Sequence, residues 1–315
     1  MVRKLLAVVV VLAVIGFAAF WLLSAPRTLA AGDLPDHKPD LANGAYIFTA
    51  GGCESCHAAA DAEGDDQLKL GGGRVLATPF GKFHVPNISS DKVHGIGAWS
   101  VLDFVNAMKF GVRRDGAHLY PAFPYTSYQR MTLTDLIDLK AYLDTLPAVA
   151  TDVPPHELSF PFNIRRGLGL WKLLYVDGRT FVPDPKASAE VNRGAYLVEG
   201  PGRCGECHSP RNLIGGVIAS RAYSGGPAPA GDGTIPNITT DQATGIGSWS
   251  HDDIVTLLET GFTPSFDAIG GDMVPVQRNL AKLTAADRSA IASFLKTLPP
   301  INNPTPKKTP PKPAA

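Results

Sequence analysis

The chain has 315 residues, enough for about two domains at ~150 residues each, and 18% of it is charged, against ~25% in an ordinary soluble domain. Its 29 basic and 29 acidic residues cancel, which argues against a nucleic-acid binder, and 44% apolar content excludes a disordered chain. Four cysteines are too few for a disulfide scaffold, while 32 glycines and 27 prolines point to long turns and loops.

The first predicted element is a single N-terminal transmembrane helix. Leu5 to Leu23 is an unbroken uncharged, mainly apolar run preceded by Arg3 and Lys4. That is long enough to cross ~30 Å of hydrocarbon and longer than the ~7–15 residues of a signal-peptide core. The basic flank places the N-terminus in the cytoplasm and everything after Ser24 outside, with Trp21 where an interfacial aromatic belongs. A cleaved signal peptide is the alternative, because Thr28-Leu29-Ala30 and Leu29-Ala30-Ala31 pass as weak cleavage sites. Residues 1–31 are therefore expected to form an anchor, or a signal peptide, with a short linker.

The rest of the chain repeats itself. Pro86-Asn87-Ile88-Ser89-Ser90-Asp91 returns as Pro236-Asn237-Ile238-Thr239-Thr240-Asp241. Gly95-Ile96-Gly97, Trp99-Ser100, Asp103, Val105 and Gly111 return as Gly245-Ile246-Gly247, Trp249-Ser250, Asp253, Val255 and Gly261, and Gly44-Ala45-Tyr46 as Gly194-Ala195-Tyr196. Each copy has the same helical punctuation. Ser100-x-x-Asp103 and Ser250-x-x-Asp253 open short helices that end at Gly111 and Gly261. Thr132-x-x-Asp135 and Thr284-x-x-Asp287 open the last helices, whose Leu136, Leu139, Tyr142 and Leu143, and Ile291, Phe294 and Leu295, have helical spacing before Pro147 and Pro299. The expected fold class is all-α: two tandem small domains, 32–147 and 188–300. Between them a Pro/Gly-rich but apolar segment, 148–187, is expected to pack across both domains, or else to serve as a docking patch for a partner. Residues 301–315, basic and rich in proline, read as a disordered tail.

All four cysteines lie in Cys53-Glu54-Ser55-Cys56-His57 and Cys204-Gly205-Glu206-Cys207-His208, at the same place in each copy. C-x-x-C-H is the attachment motif of c-type haem. Two thiols one helical turn apart take the two vinyl groups as thioethers, and the next histidine lies under the iron. The rivals fare worse. A thioredoxin-like pair needs a βαβ pattern, a four-cysteine zinc site leaves both histidines unexplained, and two i,i+3 disulfides close loops too small to stabilise much. Cys53, Cys56, Cys204 and Cys207 are therefore expected to bind two haems covalently, with His57 and His208 as axial ligands.

The sixth ligands differ between copies. Met273, after Gly270-Gly271-Asp272 in a loop, is expected to complete the second site as a His/Met pair. Its counterpart by repeat spacing is Phe123, so the first site lacks a methionine there. Met131 is the candidate, His118 its rival, His84 and His94 weaker ones, and an open or water-bound iron a further alternative; Met108 reads as core.

Tyr120-Pro121-Ala122-Phe123-Pro124-Tyr125, Phe160-Pro161-Phe162-Asn163, Asn192 to Gly200, and Cys204 to His208 with Ser209-Pro210-Arg211-Asn212 resemble the cytochrome c subunits of bacterial membrane-bound periplasmic dehydrogenases for alcohols, gluconate and related sugars or aldehydes. Members of that group generally carry three haems, a C-terminal anchor and Pro-Ala-Met-Pro-Tyr, where this chain has two motifs, an N-terminal anchor and Phe123. The resemblance implies that Cys53, Cys56, His57, Cys204, Cys207, His208 and Met273 bind haem, and that electrons arrive from a substrate-oxidising subunit. The expected function is a dihaem electron carrier on the bacterial cytoplasmic membrane, with its haem domains in the periplasm. It would work between a periplasmic dehydrogenase and a soluble cytochrome, oxidase or quinone-linked complex, without nucleic acid. The alternative is a dihaem oxidoreductase that binds substrate or peroxide at the first haem.

Overall fold

A computed structural model describes residues 1–230 and 233–304. The contacts divide the chain into two compact units: Met1–Phe48 with Cys53–Val182, and Thr49–Gly52 with the described chain from Pro183 onward. In the first unit the helices are α1 (Val2–Leu23), α2 (Leu41–Gly51), α3 (Glu54–His57), α4 (Val101–Phe110), α5 (Tyr125–Tyr128), α6 (Leu133–Leu143) and α7 (Leu168–Tyr175). Three short strands join them: β1 (Val75–Thr78), β2 (Gly81–His84) and β3 (Glu157–Leu158). The second unit has α8 (Ala189–Glu199), α9 (Cys204–His208), β4 (Gly226–Pro227), β5 (Thr234–Ile235), α10 (His251–Thr260), α11 (Met273–Leu280) and α12 (Ala285–Leu295).

The expected caps form. Ser100 and Ser250 accept from the amides of Asp103 and Asp253, each at 3.1 Å, and both are reciprocal capping boxes. Thr132 and Thr284 accept from Asp135 and Asp287. Each such cap is worth ~1 kcal/mol. Gly111 and Gly261 close α4 and α10 in the left-handed conformation, at φ 59° and 80°.

The repeated Gly-Ala-Tyr has a packing cause. A methyl group on Gly44 would run into the Asp138 carbonyl of α6, and one on Gly194 into the Ala290 carbonyl of α12. The first and last helices of each repeat thus meet backbone to backbone. In the first unit this brings Ile47 and Phe48 against Leu136, Leu139 and Leu143 in one buried cluster.

Three expectations change. The fold is mostly helical rather than all-α. β1 and β2 form an antiparallel hairpin, Val75 opposite His84, and β3 adds to β2 through Lys82↔Glu157. Strands of two to four residues are too short to show an alternating pattern, and the β2–β3 pairing joins residues far apart in the chain. The expected connector 148–187 is largely part of the first unit. The Asn87 side chain donates to the Val149 carbonyl at 2.6 Å, Glu157 pairs with His84 and Lys82, and Asp177 pairs with Arg130 at 3.0 Å. The tail does not begin at residue 301. The Ile301 carbonyl accepts from Asn237, and the Asn303 side chain donates to the Ser224 carbonyl, both at 2.8 Å. The expectation of disorder for the remainder falls on 305–315, outside the described residues.

α1 has 22 residues, is long and apolar enough to cross a membrane, and buries none of them. The chain that leaves it is tied to the first unit. The Ser24 carbonyl accepts from His118 Nε2 at 2.8 Å and its hydroxyl from Arg166 at 2.8 Å. The Leu29 amide and carbonyl are both held by the Asn106 side chain.

Two measurements test this packing. Gly194→Ala is expected to destabilise the second unit by ~1–3 kcal/mol through overpacking, whereas Gly32→Ala, with open space around it, should stay within ~0.5 kcal/mol; equal effects would remove the helix-crossing argument. Burial, with Arg165 nearby, lowers the His156 pKa from 6.5 to about 4. The unfolded chain therefore binds the extra proton between those values, so this contribution is whole above pH 6.5 and is lost as pH falls towards 4. The unfolding midpoint should drop across that window, and less steeply in His156→Gln.

Candidate cofactor sites

Each C-x-x-C-H lies on one short turn of helix just after the first helix of its repeat, in α3 with Cys53 as its N-cap residue, or in α9. No disulfide joins any of the four cysteines. Burial pushes the Cys204 thiol up to about 11 and raises that of Cys207.

The two histidines are held identically. Nδ1 of His57 donates to the Pro86 carbonyl and Nδ1 of His208 to the Pro236 carbonyl, both at 2.8 Å. With the proton on Nδ1, the lone pair is on Nε2, which is the tautomer and orientation a metal-ligating imidazole needs. Burial lowers the His208 pKa, which favours the neutral ring.

The repeated loop is what aims the two carbonyls. The Asn87 and Asn237 side chains accept from the amides of Ser89 and Thr239 at 2.9 and 2.8 Å, folding the chain just after each proline. Gly97 and Gly247 lie so close to the Ser90 and Thr240 carbonyls that no side chain fits. A second strap runs from the Gly72 amide to the His57 carbonyl at 2.8 Å, and from the Gly225 amide to the His208 carbonyl at 2.7 Å. Both glycines have positive φ, 71° and 75°. Gly72, within the run Gly71-Gly72-Gly73, is therefore part of the histidine's support.

In the second unit a cavity of ≈ 300 Å³ opens beside His208 and Cys204, at the lower end of the ~300–1,000 Å³ usual for small-ligand sites. Its wall is apolar: Leu197, Ile246, Trp249, Ile254, Leu258, Leu280, Leu283, Ile291 and Leu295. Met273 also lines it, so this methionine and His208 share one cavity. Met273 is the first residue of α11 rather than a loop residue as expected. A flat apolar macrocycle attached by thioethers, with a nitrogen ligand from His208, fits this set of residues.

The first unit has the matching residues. Ile47, Ile96, Phe104, Met108, Tyr128, Met131, Leu139 and Leu143 are one buried cluster, packed against Cys53, Ile88, Trp99 and Phe123. These correspond to wall residues of the second cavity, Met108 to Leu258 by repeat spacing and Met131 to Leu283 when the Thr132 and Thr284 caps are aligned. Met131 is therefore buried in this cluster, and Phe123 packs against it. His118 does not join them. Its Nε2 bonds the Ser24 carbonyl and its Nδ1 accepts from Lys172 Nζ at 3.1 Å, so both ring nitrogens are spent on protein. His84 bonds Glu157 at 3.0 Å and His94 bonds Asp91 at 3.1 Å.

Sequence reasoning missed the supporting residues Arg74 and Arg211. Arg74 donates to the Ser55 carbonyl at 2.8 Å, and Arg211 to the Glu206 carbonyl at 2.8 Å and carboxylate at 2.6 Å, pinning each motif from outside. Arg211 stands in the Ser-Pro-Arg-Asn segment that carried part of the resemblance; Arg74 had no signal of its own.

Comparison with known proteins agrees with this geometry. The family model for cytochrome c matches residues 41–147. A "Diheme cytochrome c-type" protein of Cereibacter sphaeroides is 47% identical over 302 residues, 95% of this chain and 99% of its own length. The fructose dehydrogenase cytochrome subunit of Gluconobacter japonicus is 39% identical over 84% of this chain, and the alcohol dehydrogenase (quinone) cytochrome c subunit of Gluconacetobacter polyoxogenes 36% over 90%. The chain spans only 53% and 61% of those two relatives. With two matching attachment motifs, two equivalent histidine supports and a dihaem relative matched end to end, the chain belongs to the c-type cytochromes, in the group that includes dehydrogenase cytochrome subunits, and carries two covalently bound haem c groups.

Proposed function

We propose that this protein is a membrane-anchored dihaem electron carrier, passing electrons from a periplasmic dehydrogenase to a respiratory-chain acceptor: a soluble cytochrome, an oxidase or a quinone-linked complex. The observation that carries the reading is the equivalence of the two histidine-bearing apolar sites. Bound haem supplies reversible one-electron chemistry there. The chain's own residues hold and tune it: Cys53, Cys56, Cys204 and Cys207 attach it, and His57 and His208 are aimed at it by the Pro86 and Pro236 carbonyls. The apolar walls exclude water. Met273, lining the cavity with His208, would hold the second haem iron together with that histidine, and Met131 would do so in the first unit.

The anchor reading draws on the length of α1 and on the bonding of its exit. The orientation follows from Arg3 and Lys4, which keep the N-terminus inside the cell. The donor assignment rests on the dehydrogenase subunits among the relatives.

A second reading has one observation in its favour. Phe123, where repeat spacing calls for a methionine, favours an iron open to substrate or peroxide in the first unit. Carbon monoxide distinguishes the two: six-coordinate iron at both sites leaves the reduced spectrum unchanged, whereas a shift from one haem supports the oxidoreductase.

Met273→Ala is expected to lower the potential of one haem and abolish its His/Met spectral signature, leaving the other haem as it was; two unaltered haems would refute the assignment. After alkaline carbonate washing, the intact protein should stay with the membranes, and its mass should include residues 1–31. Release into the wash, or a mature chain starting after Ala30 or Ala31, would show that the N-terminal segment is no anchor.

A further inference from the structure

Helix α7 is built inside out for a helix in water. Its one cation, Lys172, is buried, donating to the Gly111 carbonyl at 2.6 Å and lying 4.8 Å from the centre of the Tyr125 ring. Its leucines face out: Leu170, Leu173 and Leu174 are 37%, 54% and 69% exposed. The spacing i, i+3, i+4 puts the three on one stripe. At ~100° per residue that stripe lies opposite Lys172 and about a quarter turn from Gly169.

The position of α7 says what covers the stripe. Gly169 is seated against Ser24, the residue that closes α1, so closely that no side chain fits between them. Arg166 lies 4.2 Å over the Trp21 ring and donates to the Trp21 carbonyl at 2.6 Å and the Ser24 hydroxyl at 2.8 Å. The 22 residues of α1 make a helix of about 33 Å, which fills ~30 Å of hydrocarbon and leaves Trp21 to Ser24 at the boundary. The leucine stripe begins one residue from that boundary.

We propose that α7 lies in the outer leaflet of the membrane that α1 spans, with Leu170, Leu173 and Leu174 among the acyl chains just below the headgroups. This rests on the anchor reading above. The occupant is lipid because the helix that carries the stripe is seated at Gly169 against the end of the helix for which lipid would be the solvent. The surroundings match an interfacial segment: Trp21, at the end of α1, is an aromatic suited to headgroup depth, and Arg166 is a cation lying over its ring. The first unit is then held to the membrane at two points, a spanning helix and a helix lying on the surface beside it.

The test uses full-length holoprotein in vesicles of phosphatidylethanolamine and phosphatidylglycerol. The four native cysteines are consumed by haem attachment, so Leu173→Cys, Leu174→Cys, Val11→Cys and Val93→Cys each offer one thiol for a nitroxide. Val11 reports the middle of α1, and Val93, 83% exposed, reports water. Collision with oxygen, which partitions into lipid, is compared with collision with a water-soluble nickel chelate. The expected result is an oxygen-to-nickel ratio at Leu173 and Leu174 several-fold above that at Val93, and below that at Val11. A ratio like that of Val93, with Val11 still at lipid depth, overturns the inference and leaves the anchor standing. Protection from both reagents overturns it as well, showing a protein surface over the stripe. Val11 open to the nickel chelate means that the anchor itself has failed.

Discussion

Everything in each repeat is arranged around one hydrogen bond, from a histidine Nδ1 to a proline carbonyl. An imidazole one bond beyond a flexible Cβ has no preferred direction, and a metal site needs both ring plane and tautomer fixed. The proline contributes a carbonyl without a competing amide of its own. The asparagine after it folds the next turn, and two glycines allow that turn to pass against neighbouring backbone. The same histidine's own carbonyl is tied to a glycine amide on the far side of the motif. The histidine is thus held at its ring by one loop and at its own carbonyl by another.

The duplication shows which parts of this scheme are fixed and which are free to vary. The cysteines, histidines, proline carbonyls, caps and glycine crossings recur, because each answers a geometric demand that a neighbouring residue cannot meet. The cavity wall changes side chain by side chain while staying apolar, Phe104 for Ile254 and Tyr128 for Leu280. The copies also differ at Phe123, which stands where the second has Met273. Two sites with different distal surroundings hold electrons with different affinity, and a difference in affinity is what gives flow through a pair of carriers its direction.

Much of this was legible in the sequence, because caps, helix-ending glycines and C-x-x-C-H are local signals. Ser100, Ser250, Thr132 and Thr284 lie three residues from the amides they cap. The repeat itself made the glycines of Gly-Ala-Tyr visible without saying what they touch. The strands were not legible: β3 has two residues, and its partner Lys82 lies in a different stretch of chain, so no periodicity marks either. His118 misled because a loop histidine beside a candidate cofactor segment looks available. Only the fold brings the Ser24 carbonyl and Lys172 to its two nitrogens. The same long-range packing drew 148–182 into the first unit, where composition suggested an independent connector.

The bonded stretch from Ser24 to Leu29 bears on how this protein meets its partners. A soluble unit on a loose tether samples a hemisphere above the membrane, and its encounters are set by the reach of the tether. Here the chain leaving α1 is fastened at Ser24 by His118 and Arg166 and again at Leu29 by Asn106, with four residues between. If α1 spans the bilayer as proposed, the first unit would be held near one height above the membrane. A partner would then meet it in the membrane plane, provided its own electron-exchanging edge stood at the same level.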